Sequence, residues 1–146
     1  MIPFYVMLAG IAAARLIGAT AWHPLDDWRS ATRVGLALMF VLTGTAHFSA
    51  RRADLVRMVP PRFPNPEALV TLTGIAEVAG AVGLLVPALA RSTAYALIVL
   101  LIAMFPANVY ASRMNYSIGG RPATPMILRL PLQVVWVALL WWSARA

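Results

Sequence analysis

The chain has 146 residues, of which 61% are hydrophobic and 12% charged, and its formal net charge is +7. Soluble domains carry roughly a quarter charged residues, so this composition excludes an ordinary water-soluble fold and favours lipid as the solvent. Every basic residue is arginine, and the arginines lie between apolar runs without a nucleic-acid-binding motif. We therefore expect contact with the headgroups of a lipid bilayer and no nucleic acid. Cysteine is absent, which excludes thiol chemistry and disulfides.

Five apolar stretches are long enough to cross a bilayer, which takes about 17–25 residues per helix. In chain order they are residues 3–22, 32–48, 68–89, 92–112 and 126–143. The sequence therefore predicts an all-α protein, a polytopic transmembrane helix bundle that forms one membrane domain over residues 1–146.

The connections between these stretches differ in composition. Residues 49–67 form the longest, with four arginines and with Pro60, Pro61, Pro64 and Pro66 in its second half. Proline is unfavourable in a helix interior, so we expect this connection to be extended and semi-rigid. Residues 90–91 are predicted to form a tight reversal, and residues 113–125 a loop.

The arginines indicate an orientation. If all five stretches span, the face of the N-terminus carries seven arginines and the opposite face four. The seven are Arg51, Arg52, Arg57, Arg62, Arg113, Arg121 and Arg129; the four are Arg29, Arg33, Arg91 and Arg145. The positive-inside rule then predicts a cytoplasmic N-terminus and an outer C-terminus. Four tryptophans fall on the outer face, at positions 22, 28, 141 and 142.

Small residues recur at four-residue spacing in two of the predicted helices. The first contains Gly10, Ala14 and Gly18; the third contains the pairs Ala76–Gly80 and Ala79–Gly83. This spacing lets two helix backbones approach closely in lipid, so we expect these faces to pack within the bundle or between copies in a homo-oligomer.

Two ionisable residues lie deep within predicted spans, where a charge is costly and normally faces the protein interior. At a rise of about 1.5 Å per residue, Glu77 and Arg15 both approach the middle of the membrane. An Arg15–Glu77 ion pair is therefore a hypothesis, although depth gives no lateral distance. Thr73, Gly74 and Gly80 share the face of Glu77, which predicts that this face meets protein or a cavity.

Further polar residues converge on the cytoplasmic half of the predicted bundle. His47 ends the second span, Asn108 lies near the end of the fourth, and Arg129 and Gln133 lie one turn apart in the fifth. One interpretation is structural, with hydrogen bonds that hold a small bundle together. The other is a polar cavity that binds a small molecule. Catalysis and a metal site are disfavoured, because no nucleophile, metal-ligand spacing or phosphate-binding loop accompanies these residues.

Several fragments of the chain resemble the DoxX family of bacterial membrane proteins, over about residues 33–142. The resemblance is carried by Gly44-Thr45-Ala46-His47-Phe48, by Met58-Val59-Pro60-Pro61 leading to Pro64-Asn65-Pro66, by Thr73-Gly74-Ile75-Ala76-Glu77 with Gly80, by Phe105-Pro106-Ala107-Asn108, and by Leu128-Arg129-Leu130-Pro131-Leu132-Gln133.

The resemblance implies a four-helix membrane core, here with one extra N-terminal span that carries Arg15, in a bacterial plasma (inner) membrane. The DoxX family is associated with redox metabolism, including membrane subunits that deliver electrons to quinone. His47, Glu77, Asn108, Arg129 and Gln133 match polar positions that the family shares. As cofactor or ligand, a quinone or a lipid is therefore expected, and as partner a membrane or cytoplasmic redox enzyme.

Three functions remain open at this stage. The first is an accessory, non-catalytic protein that binds a quinone or lipid near Glu77. The second is a proton-coupled small-solute transporter, with Glu77 as the proton carrier. The third is a scaffold whose proline-rich loop docks a partner.

Overall fold

The computed structural model describes residues 1–114, 117–118, 120–122 and 125–145. Over these residues the chain forms six α-helices, one 3₁₀ turn and a two-stranded antiparallel ribbon. The elements are α1 (Ile2–Thr20), the 3₁₀ turn (His23–Leu25), α2 (Trp28–Ala46), α3 (Arg52–Met58), α4 (Pro66–Leu85), α5 (Pro87–Arg113), β1 (Ser117–Ile118), β2 (Arg121–Pro122) and α6 (Met126–Ala144). The ribbon lies in the predicted loop 113–125, of which residues 115–116, 119 and 123–124 are outside the described residues.

The ends of the long helices follow from local sequence. Asp27 caps α2, because its side chain accepts a hydrogen bond of 3.0 Å from the Ser30 amide. Pro66 and Pro87 each begin a helix, where a missing N–H is harmless. Asn65, just before α4, adopts a left-handed conformation with φ 52°, which asparagine tolerates better than most residues.

Helix α2 lies at the centre of the bundle and packs against α1, α4 and α6. Because α4 also packs on α5, and α5 on α6, the helices α2, α4, α5 and α6 form a closed ring. Helix α1 covers the outer side of α2. The core inside the ring includes Phe40, Leu84, Leu97 and Leu140, all at most 2% exposed.

Four of the described helices are long and apolar enough to cross a membrane: α1, α4, α5 and α6. Many of their large side chains point outward, for example Leu16 (67% exposed) and Val99 (67% exposed), as lipid-facing helices require. The chain is therefore a multi-pass membrane protein. Helix α2, the second predicted span, is not among the four. It contains Arg29, Arg33 and several threonines, and three surrounding helices shield it.

The small-residue packing predicted for α1 is confirmed. Gly10, Ala14 and Gly18 are all buried. A Cβ on Gly10 would lie 3.0 Å from the Gly35 Cα, so side chains on either residue would force α1 and α2 apart. The predicted small face of α4 also packs, with Gly80 against Leu97 of α5.

Two local predictions were wrong. The connection 49–67 is not extended throughout, because α3 forms before the first proline at Pro60. The reversal at residues 90–91 is not there either. Helix α4 ends at Leu85, Val86 is the single linking residue, and α5 runs through residues 90–91 from Pro87. Proline begins the helix here, whereas the prediction placed the preceding helix through it.

Candidate functional site

A cavity of about 270 Å³ lies at the end of the bundle where α1 begins and α2 ends, and residues of α1 line it together with residues of the helix ring. We call it the polar chamber, because each core helix contributes a polar side chain to its wall. Those side chains are Thr43, His47, Arg51, Glu77, Asn108, Arg129, Gln133 and Trp136. Five of the six candidate residues from the sequence line this one cavity.

Arg15 does not belong to the chamber, and the hypothesis of an Arg15–Glu77 ion pair was wrong. The Arg15 guanidinium donates to Asp26 Oδ1 at 2.7 Å and lies over the Trp28 ring, 4.8 Å from its centroid. Depth along the helix does not bring Arg15 to Glu77, because α2 packs between α1 and α4. The long side chain instead reaches a partner in the connection that follows α1.

Glu77 is the acidic residue of the chamber wall, and it is 4% exposed. Two glycines allow it to face α2 closely. A Cβ on Gly44 would lie 3.1 Å from the Glu77 Cβ, and one on Gly74 would lie 2.6 Å from the His47 Cβ. The close contact of α2 and α4 therefore depends on both glycines, and it places the Glu77 carboxyl beside Thr43 and His47.

His47 is oriented by a hydrogen bond behind its ring. Its Nδ1 lies 2.8 Å from the Val70 carbonyl oxygen, and a carbonyl only accepts, so Nδ1 carries the proton. The Nε2 atom then faces Glu77 Oε2 at 4.0 Å, beyond hydrogen-bonding distance. In the neutral ring Nε2 is a hydrogen-bond acceptor, as is Glu77 Oε2. A ligand group that contacts these two atoms would therefore have to be a hydrogen-bond donor.

Arg52 holds this arrangement from outside the chamber. Its guanidinium donates to the His47 carbonyl at 3.3 Å, to the Glu67 carbonyl at 3.1 Å and to the Thr71 hydroxyl at 2.9 Å. Arg52 thereby ties the end of α2 and the start of α3 to the start of α4. One arginine of the predicted basic face thus has a structural role.

Helices α5 and α6 meet through two polar contacts on the opposite wall. Arg129 donates to Asn108 Oδ1 at 2.7 Å, and Gln133 donates to the Leu101 carbonyl at 2.8 Å. Both α6 residues are oriented toward α5, and Gln133 is buried. These contacts hold the Arg129 guanidinium and the Gln133 amide against α5.

Two buried polar atoms in the chamber have no hydrogen-bond partner within the described part of the chain: Glu77 Oε2 and Trp136 Nε1. Buried polar groups in proteins are nearly always paired, and an unpaired one costs about 1–3 kcal/mol. The carboxyl oxygen can accept a hydrogen bond and the indole N–H can donate one. Both residues line the polar chamber, so its wall includes one residue with an unsatisfied acceptor and one with an unsatisfied donor.

Trp136 is a site residue that the sequence reasoning missed. It lies in an apolar run and so reads as a core or lipid-facing aromatic residue. A signal was present, because Arg129, Gln133 and Trp136 follow one another at spacings of four and three residues. Residues at these spacings share one face of a helix.

A second cavity, of about 300 Å³, adjoins the first. We call it the apolar chamber, because the residues that line it alone are nearly all apolar: Val59, Pro60, Phe63, Leu69, Val70, Thr73, Ala103 and Ala107. Its roof is the proline-rich segment after α3. The two chambers share a dividing wall formed by His47, Leu55, Met58, Met104 and Asn108.

The polar chamber is lined mainly by apolar side chains, with a few polar ones. Within the described residues, no three acidic, histidine or cysteine side chains gather to hold a metal ion. A cavity of this size, largely apolar with a few convergent polar groups, is typical of a site for a small organic ligand. The fold and site together define a multi-pass helical membrane protein with a ligand-sized internal cavity.

The chain belongs to a family defined by a domain of unknown function, DUF8561, which matches residues 36–144. The match starts within α2 and covers α3 to α6, so it includes most of both chambers and leaves α1 outside. No curated protein and no solved structure matches the chain. The comparison does not identify DoxX, and the DoxX resemblance therefore rests on the motifs alone.

Proposed function

We propose that this chain is a DoxX-like membrane protein that binds a small amphiphile, a quinone or a lipid, in the polar chamber. In this proposal it acts as an accessory component of redox metabolism in a bacterial plasma membrane and catalyses no reaction of its own. The N-terminus and the chamber lie toward the cytoplasm, on the face with the larger number of arginines.

The proposal rests on one observation: Glu77 Oε2 and Trp136 Nε1 are both buried without a hydrogen-bond partner in the described residues, and both side chains belong to residues that line one cavity. A bundle that used its polar residues only for packing has no reason to leave a carboxyl oxygen without a partner. A ligand with one donor and one acceptor satisfies both atoms. Quinones in their reduced form and lipids with hydroxylated heads have such groups.

The test is to extract the protein gently from native membranes and identify bound small molecules by mass spectrometry, for wild type and Glu77→Gln. We expect a stoichiometric quinone or lipid in the wild type. Loss of a hydrogen bond to a buried charged group costs about 1.5–3 kcal/mol, so the variant should bind roughly 10–100-fold more weakly.

Glu67→Gln is the matched control, because Glu67 is an exposed acidic residue in the first turn of the same helix. It should retain the bound molecule. Equal retention by Glu77→Gln contradicts the proposed site. An empty wild-type protein instead favours the scaffold function, and the search then moves to protein partners.

The facing pair of His47 and Glu77 supports a second candidate, proton-coupled transport of a small solute. The two side chains are both buried, and His47 Nε2 lies 4.0 Å from Glu77 Oε2, so a small approach would bring two titratable groups within proton-transfer distance. Uptake of labelled amphiphiles into proteoliposomes should then depend on an imposed pH gradient and lose that dependence in Glu77→Gln. Uptake that ignores the gradient removes this candidate.

A further inference from the structure

The two chambers differ in chemistry although they share a wall. The polar chamber contains the unpaired atoms of Glu77 and Trp136. In the apolar chamber, the Thr73 hydroxyl donates to the Leu69 and Val70 carbonyls of its own helix at 2.9 and 3.1 Å. Its polarity is therefore satisfied internally, and the other side chains that line this chamber alone are apolar. A polar ligand gains nothing there, whereas an alkyl chain does.

The wall between the two chambers contains flexible side chains. Between its polar members His47 and Asn108 stand Leu55, Met58 and Met104. Methionine is unbranched and flexible, and it adapts its shape to what lies beside it at low cost. Because Met58 and Met104 line both cavities, a change of their rotamers would be enough to connect the two.

We propose that both chambers hold one molecule, a single-chain amphiphile with an uncharged head that carries a hydroxyl. The inference rests on the proposed function and names its ligand class. The head donates to Glu77 Oε2 and accepts from Trp136 Nε1 in the polar chamber. The hydrocarbon chain passes between Met58 and Met104 and ends in the apolar chamber, beneath the proline-rich segment. A cavity of about 300 Å³ is large enough to take part of one hydrocarbon chain.

Photo-crosslinking with two monoacylglycerol probes tests this assignment. One probe has a diazirine at the end of its acyl chain, and the other has it beside the ester. Both are added to the full-length protein in detergent, and the labelled residues are mapped by mass spectrometry. We expect the chain-end probe to label residues 59–70 and 103–107, and the ester-side probe to label residues of the polar chamber.

Ala107→Phe provides the variant, because Ala107 lines the apolar chamber and not the polar one. It should abolish chain-end labelling at residues 59–70 and 103–107. Ala88→Phe, at an exposed site on the same helix, should change nothing. Val59→Phe fills the same chamber from the opposite wall and replaces Ala107→Phe if that variant fails to fold.

The outcomes separate this inference from the proposed function. Chain-end labels on lipid-facing residues, with ester-side labels still in the polar chamber, overturn the tail assignment and leave the head site standing. Chain-end labelling that persists in both filled variants overturns it as well. Absence of both probes from the polar chamber in the wild type overturns the head site and the inference together.

Discussion

The two ends of the helix bundle differ in whether their polar groups have hydrogen-bond partners. At the tryptophan end, which holds Trp22, Trp28, Trp141 and Trp142, Arg15 and Arg33 both have hydrogen-bond partners. Arg15 pairs with Asp26 at 2.7 Å, and Arg33 donates twice to the Ser143 carbonyl, at 3.0 and 2.6 Å. At the chamber end, Glu77 and Trp136 each keep a buried polar atom without a partner in the described chain.

The difference teaches that the presence of charge in a membrane helix does not by itself identify a functional site. Arg15 and Glu77 lie at similar depth, and the sequence marks both as unusual. Arg15 is satisfied by the chain itself, so its role is structural. Glu77 Oε2 has no hydrogen-bond partner among the described residues, and for that reason we place the proposed ligand beside it. The comparison makes predictions that separate stability from binding.

Gly74→Ala should have the largest effect. Its new Cβ would lie 2.6 Å from the His47 Cβ, which cannot move aside as the tip of a flexible side chain could. Overpacking of this kind typically costs about 1–3 kcal/mol, and we expect the upper part of that range. Unfolding in mixed micelles should show the loss of stability, and mass spectrometry should show loss of the bound amphiphile. Ala79→Val, at an exposed site of the same helix, is the control.

Arg33→Met should destabilise the bundle by about 2 kcal/mol, because it removes two charge-assisted hydrogen bonds to the end of α6. The bound amphiphile should remain, since Arg33 lies at the tryptophan end. Arg29→Met is the control. Its guanidinium lies over the Trp142 ring at 5.9 Å, a contact worth less than about 1 kcal/mol at an exposed site. Loss of the ligand in Arg33→Met would contradict the division between the two ends.

Glu77→Gln should have the smallest effect on stability, within about 1 kcal/mol of the wild type once ligand is removed from both. The amide is nearly the same size, and it avoids the cost of a buried charge. This is the reverse of Arg33→Met, because binding should fall while stability is kept. A drop of several kcal/mol, measured by the same unfolding assay, would show that Glu77 holds the bundle together.

The helical framework could be predicted from the sequence, because long apolar runs in lipid have few alternatives to helix. Each of the five predicted stretches contains most of one long helix. What failed was local. Helix α3 was missed because the prolines that follow it dominated the interpretation of the whole connection. Two of the seven residues of α3, Leu55 and Met58, lie in the walls of the chambers.

The candidate site could be predicted in part for a geometric reason. Position along a helix gives depth, and helical spacing gives the face, so the convergence of His47, Glu77 and Gln133 followed from counting. Which helices are neighbours does not follow from counting, and for that reason Arg15 was placed wrongly. The apolar chamber could not be predicted from the sequence either, because the residues that line it come from segments that are distant in the chain.

Helix α1 lies outside the matched domain, yet Met1, Ile2, Pro3 and Phe4 form part of the polar chamber's wall. The segment that defines the family therefore does not enclose its own cavity. The remaining side is supplied by a peripheral helix that rests on α2 where Gly10 meets Gly35. Under the proposed function, a tilt of α1 about that contact would open the chamber toward lipid. The exchange rate of the proposed amphiphile would then depend on this added helix, and its affinity on the family domain.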